Sequence, residues 1–186
     1  MFLNTQGRVL FDTFIIKKTP SDYLIECDQV IQDKLVKHLK MYKVRRKINI
    51  SVIQNQSLGA LFDTENVLED IDCDDIDFYY KDSRTKELGF RIVGSSNNFM
   101  NNIDEYTEYR YKLGICEGSN EIPLGKCTPL EYNVEYMHGV SFQKGCYIGQ
   151  ELTARTHHTG VIRKRIMPIR FSSELKGNLN LQHENL

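Results

Sequence analysis

Lys144-Gly145-Cys146-Tyr147-Ile148-Gly149-Gln150-Glu151 sets one cysteine between two glycines, with a lysine ahead of it and a Gln-Glu pair behind it. Glycine lets a backbone turn tightly and approach a ligand closely, because it has no Cβ to clash. The run that follows, Gln150 to His158, predicts a helix. Cys146 then stands just before a helix N-terminus, where backbone N–H groups and the helix dipole favour a thiolate. Lys144 adds a charge of the same sense if the two side chains approach. A thiol in this setting is a nucleophile, a soft metal ligand or a redox-sensitive group. The alternative is a structural thiol whose glycines serve only the turn. Glu151 and Arg155 stand four residues apart and can pair along the first turns of the helix. His157 and His158 read as a base or a metal partner for Cys146, or as charge at the helix C-terminus. Adjacent helical residues diverge by about 100°, so at most one of the two can face a given centre.

Working outward, the rest of the chain predicts an α/β or α+β protein. Val9 to Lys17 is nearly all apolar or β-branched, interrupted by Asp12, and reads as one strand buried on both faces. Pro20-Ser21-Asp22 is a turn, and Tyr23 to Cys27 returns as the second arm of a hairpin. Asp28 caps a helix running to about Tyr42, with Ile31, Leu35, Leu39 and Tyr42 on one face. Ile48 to Ile53, Leu58 to Phe62 and Gly89 to Val93 read as strands. A helix covers Asp104 to Leu113, with Tyr106, Tyr109 and Leu113 inward and Gly114 ending it. A short helix near Leu130 to Met137 and a strand at Val140 to Phe142 lead into the cysteine motif. Val161 to Phe171 predicts one more strand, and a polar tail follows.

Composition excludes several classes of function. The 186 residues suffice for one substantial core, or a core with a small appendage. The formal net charge is -1, so no global basic field draws in nucleic acid. No apolar run reaches bilayer length, so membrane insertion is not expected. The five cysteines are odd in number and none are spaced C-x-x-C, which argues against a disulfide framework or a zinc site and for a reducing compartment. Lys34, Lys37, Lys40, Lys43, Arg45, Arg46 and Lys47 form a basic cluster, read as a phosphate-holding patch or a solvated helix face. Asp63 to Asp77 holds eight acidic residues without calcium-loop spacing and reads as an exposed acidic loop.

The run from Gly139 to Arg165 resembles the signature of the folate-binding iron–sulfur assembly factors, relatives of the glycine-cleavage T-protein (aminomethyltransferase). Leu152-Thr153-Ala154-Arg155 followed by His157-His158-Thr159-Gly160 is similar to the mitochondrial branch. Leu3 to Asp12 resembles the family's first central hairpin, and Tyr42 to Ile48 its strand after the helix. Asp82-Ser83-Arg84 with Leu88-Gly89-Phe90-Arg91 resembles its Asp-Pro-Arg and Leu-Gly-Trp-Arg pattern, departing at Ser83 and Phe90. Tyr109 to Gly118 and Pro129 to Asn133 complete a likeness running from residue 3 to about residue 171.

The resemblance implies T-protein-like mixed α/β subdomains over 1–160, around a central hole, and the start of a C-terminal β-barrel over 161–186. It makes the chain look truncated at both ends, without a transit peptide. It implies a role in late maturation of 4Fe–4S proteins in the mitochondrial matrix, with A-type iron–sulfur assembly proteins as partners and tetrahydrofolate as cofactor. Cys146 is then the functional thiol, and a shared cluster ligand where a partner supplies the rest. Lys144, Gly145, Tyr147, Gly149, Gln150 and Glu151 form its shell, with Arg155 on the same helix. Glu131 matches the carboxylate that meets the pterin, where it accepts two hydrogen bonds, or else it is a charge at a helix start. The other functional readings are a folate-dependent one-carbon (aminomethyl) transferase and a cysteine hydrolase or redox enzyme using Cys146 with His157 or His158.

Overall fold

Asp12 divides the apolar run that the sequence reads as one strand. In the computed structural model, which describes residues 1–62, 76–94 and 102–170, the chain forms β2 (Val9–Phe11), leaves it at Asp12 and Thr13, and enters β3 (Phe14–Lys17). The reason is local: the Asp12 carboxylate accepts a hydrogen bond from the Gly118 N–H at 3.3 Å and is tied there instead of continuing the strand. The two strands join different sheets. β2 pairs antiparallel with β1 (Phe2–Leu3), and β3 pairs with β4 (Tyr23–Glu26) across the Pro20–Asp22 turn, with Phe14 opposite Glu26 and Lys17 opposite Tyr23.

Asp28 does act as a cap. Its carboxylate accepts the Val30 N–H at 3.0 Å and opens a turn of 3-10 helix at Gln29–Ile31, which runs into α1 (Gln32–Lys43). Ile31 and Leu35 are buried and pack with Phe11, while Tyr42 is exposed, so the inward face stops short of the predicted end. The third sheet is antiparallel, in the order β5 (Ser57–Leu61), β7 (Phe90–Gly94), β6 (Ile76–Lys81). β7 is central and is buried from Arg91 onward, so a charged side chain sits inside the sheet. α2 (Ile103–Lys112) ends at Gly114, whose φ of +69° suits only glycine without strain, as expected for a helix stop. α3 (Gly118–Glu121) is a single turn, and α4 (Gln150–Thr159) follows the cysteine loop.

Five sequence expectations fail. Ile48 to Ile53 and Val140 to Phe142 form no strand. Tyr42 and Lys43 finish α1 and do not begin a strand. Leu130 to Met137 is one 3-10 turn (Leu130–Tyr132) followed by hydrogen-bonded turns, not a helix. Residues 161–170 form no strand either, and the described residues contain no closed barrel. The backbone groups of Ile166 are spent on the 130s turn: its N–H donates to the Glu131 carbonyl at 3.0 Å, and its carbonyl accepts from Asn133 Nδ2 at 2.8 Å. Phe171, the polar tail and most of the acidic run lie outside the described residues.

The core has three adjoining parts. Leu88, Tyr106, Ile115, Val134 and Met137 form one, Leu3, Val9, Ile122 and Cys127 another, and Phe11, Ile31 and Leu35 the third. The second matters most for the cysteine loop, because Tyr147 packs against it.

Candidate functional site

Gly149 fixes where the cysteine loop meets the body. It is the N-cap of α4 at φ +80°, and a Cβ there would lie 2.4 Å from the Asn4 carbonyl oxygen and 2.9 Å from Leu3 Cβ. Only glycine permits that approach. Gly145 is different: nothing stands within 4 Å of where its Cβ would be. Gln150 closes the turn, since its Oε1 accepts the Tyr147 N–H at 3.1 Å and its own N–H donates to the Tyr147 carbonyl at 3.2 Å. Tyr147 turns inward to the core, and burial pushes its phenol above the ordinary value. Cys146, next to it, is a free, exposed thiol.

The Lys144 side chain meets the residue that follows the thiol. Lys144 Nζ lies 4.5 Å from the centroid of the Tyr147 ring, a cation–π arrangement. Glu151 and Arg155 form the expected pair on the exposed side of α4. At the helix end the His157 ring stacks on Phe142, with centroids 3.6 Å apart and planes 14° apart, and its Nδ1 is 3.6 Å from Glu135 Oε2. Arg165 holds the other oxygen of that carboxylate at 2.8 Å. The thiol therefore shares its loop with Lys144, Tyr147 and Gln150, and Arg155 follows on α4, as the sequence implies.

The other described cysteines are less exposed than Cys146. Cys127 is buried, and burial pushes its thiol up to about 11. Burial also raises Cys27 and Cys116. Such thiols are poor nucleophiles near neutral pH.

Sequence reasoning missed a second constellation, which is buried. Arg84 grips Asp82 with two bonds, Nε to Oδ1 at 3.0 Å and Nη2 to Oδ2 at 2.6 Å, and reaches Glu117 at 2.7 Å. Arg91 pairs with Glu26 and lies 3.3 Å from Glu117. The Tyr106 hydroxyl accepts from Arg84 and Arg91, each at 2.9 Å, and donates to Glu117 at 2.8 Å. The Phe14 ring lies against both guanidiniums, 4.7 Å from Arg84 and 4.4 Å from Arg91. Burial works to raise the Glu117 carboxyl, but Arg91 and Arg84 overcome it and hold Glu117 below the ordinary range. For Asp12 burial prevails over the Gly118 N–H, the N-terminal ammonium and Arg84, and its carboxyl is raised. The available signal was Arg91 itself, an arginine between apolar residues in Phe90-Arg91-Ile92-Val93. A charge in a central strand needs buried partners.

This cluster borders a cavity of about 340 Å³ lined in part by Asp12, Phe14, Tyr80, Arg84, Cys116 and His138. None of Cys146, Glu131, Lys144, Tyr147, Gln150 and Arg155 lines it. Glu131 instead accepts the Thr128 N–H on its own turn at 2.7 Å. Among the described residues no three His, Cys, Asp or Glu side chains gather as a metal centre would need, and no helix is long and apolar enough to cross a membrane.

Fold and site define a class: a mixed α/β protein presenting one free, exposed cysteine on a glycine-anchored loop, with a ligand-sized cavity elsewhere in the same body. The chain is 38% identical over 192 residues to the mouse protein "Iron-sulfur cluster assembly factor IBA57, mitochondrial", covering 94% of this chain and 53% of that protein. The figures for the human protein of the same name are the same. The homologue from Coccidioides immitis is 36% identical over 193 residues, covering 90% of this chain and 45% of its own length. No family model matches. By this kinship the chain belongs to the family of the mitochondrial iron–sulfur cluster assembly factors, as its motifs imply, and a mitochondrial location follows from the same relatives. It spans about half the length of the curated relatives it matches.

Proposed function

We propose that this chain serves iron–sulfur cluster assembly in the mitochondrial matrix, in the maturation of 4Fe–4S proteins, with Cys146 as its working thiol. The observation that carries this reading is the exposed thiol on a glycine-anchored loop, in a chain whose relatives are named cluster assembly factors. The cluster is cargo. Cys146 offers one soft ligand, and the remaining ligands come from a partner of the A type. Gly149 and Gln150 set the loop's exit, Tyr147 anchors it in the core, and Lys144 lies over Tyr147.

Tetrahydrofolate is the proposed cofactor, within a T-protein-like arrangement of residues 1–160. The cavity beside Phe14 has a suitable size for the pterin end. Asp12, with its carboxyl raised by burial, and Tyr80 offer hydrogen-bonding groups there, and Phe14 offers an aromatic face. For Glu131 to meet the pterin, its carboxylate must first leave the Thr128 N–H. Calorimetry with tetrahydrofolate separates the two carboxylates: Asp12→Asn weakens binding if the cavity is the pterin site, and Glu131→Gln does so if the motif position is. Loss of binding in neither variant removes the folate assignment.

The thiol reading is tested by anaerobic titration of an A-type protein carrying a 2Fe–2S cluster with this chain. The partner's visible absorption changes with the wild-type chain and not with Cys146→Ser. Identical titrations for the two would reject the assignment.

A further inference from the structure

The loop that carries Cys146 is held at two points. The far point is Gly149, pressed against Asn4, Gly7 and Leu3. The near point is Phe142, whose ring lies parallel to that of His157 at 3.6 Å. Between them the ring of Tyr147 packs against the core. Gly145 has open space around it, and Lys144 reaches back to Tyr147, a residue of the same loop. The stack therefore joins two segments fifteen residues apart and ties the start of the loop to the last turn of α4.

His157 is itself held in place. Glu135 is largely buried, and its carboxylate faces both His157 and Arg165. Arg165 is fixed independently, donating to Asn133 Oδ1 at 2.9 Å and lying 4.8 Å from the Tyr136 ring centroid. His158 meets the His157 ring edge-on at 5.5 Å. One face of the imidazole is covered by Phe142 and its Nδ1 is directed to Glu135, so its contacts are those of a clasp and not of a base for the thiol.

We propose that His157 is a positioning residue for Cys146: stacked on Phe142 and steered by Glu135, it clasps the near end of the cysteine loop onto α4 and so sets where the thiol is presented. The consequence for cluster assembly rests on Cys146 being the working thiol; the clasp itself does not.

The test is a nitroxide coupled to Cys146 in the full chain, with the spectrum of identically labelled Cys146→Ser protein subtracted to remove other thiols. An aromatic pair of this kind shifts an open–closed equilibrium by about two- to tenfold. Phe142→Ala and His157→Ala are each expected to raise the ratio of mobile to immobilised signal by that factor, and the double variant by no more than either alone. His157→Phe keeps the stack and is expected to remain near the wild-type ratio. Unchanged ratios in both alanine variants would overturn the proposal. A rise in His157→Phe equal to that in His157→Ala would also overturn it, because the stack would then not be what holds the loop. Should His157→Ala fail to fold, Phe142→Ala carries the test. A Cys146→Ser chain that still supports 4Fe–4S maturation would reject the thiol's role and leave the spectral result standing.

Discussion

The arginine cluster and the cysteine loop hold their shapes by opposite means. Around Arg84 and Arg91 each charge has several partners, and Tyr106 links both arginines to Glu117. The geometry is over-determined, and the groups are shielded from water. The loop around Cys146 rests on one glycine contact, one half-buried tyrosine and one stacked ring pair, and its central thiol is exposed. The difference teaches where to look for stability and where for chemistry. A cluster in which every group is satisfied has little left to offer a partner, whereas a thiol without such ties can meet one.

Removing a member of the cluster is the strongest way to break this contrast. Arg91→Leu leaves Glu26 and Glu117 buried with too little positive charge, and breaking such a pair costs about 3–5 kcal/mol. Chemical denaturation is expected to show a loss of that size. A loss under about 1 kcal/mol, the scale of a surface pair, would mean that the cluster is not what holds the sheet.

Gly149→Ala comes next. The forced left-handed backbone costs about 1–3 kcal/mol, and the contact with the Asn4 carbonyl adds to it. Gly145→Ala should cost under about 0.5 kcal/mol, because its surroundings are open. Equal losses for the two glycines would contradict the placement of the loop's anchor.

Acid sharpens the comparison from the charge side. Glu117 is held low in the fold, so the stability it contributes is present above the ordinary carboxylate range and is lost as pH falls through its folded value. The melting temperature should therefore drop on going from about pH 5 to about pH 3, and Glu117→Gln should flatten that part of the curve. Asp12 has the opposite sign. Burial raises it, so its contribution is full below the unfolded value and is lost as pH rises through the folded one. Asp12→Asn is expected to raise the melting temperature at neutral pH, and a fall would show that its charge is wanted there.

Local signals carried well from sequence to structure, and long-range ones did not. The cap at Asp28, the hairpin turn after Lys17, the stop at Gly114 and the helix from Gln150 each depend on neighbours a few residues away. The thiol's exposure and the Glu151–Arg155 pair were legible for the same reason. Asp12 broke a strand because of Gly118, more than one hundred residues on. Arg91 found Glu26 sixty-five residues back, and Ile166, in the stretch expected as a strand, is bound instead to the Glu131 turn. The ammonium of Lys144 lies over the Tyr147 ring, a contact the sequence did not point to. Such partners leave no periodicity in the sequence that would announce them.

Cys146→Ala should cost little stability, about 0.5 kcal/mol or less, because the thiol is exposed. That makes it the most direct probe of function. Cells in which this protein carries Cys146→Ala at normal abundance are to be assayed for the activity of their mitochondrial 4Fe–4S enzymes. Activity reduced to the level of cells lacking the protein is the predicted result, and activity equal to that of wild-type cells would contradict the account.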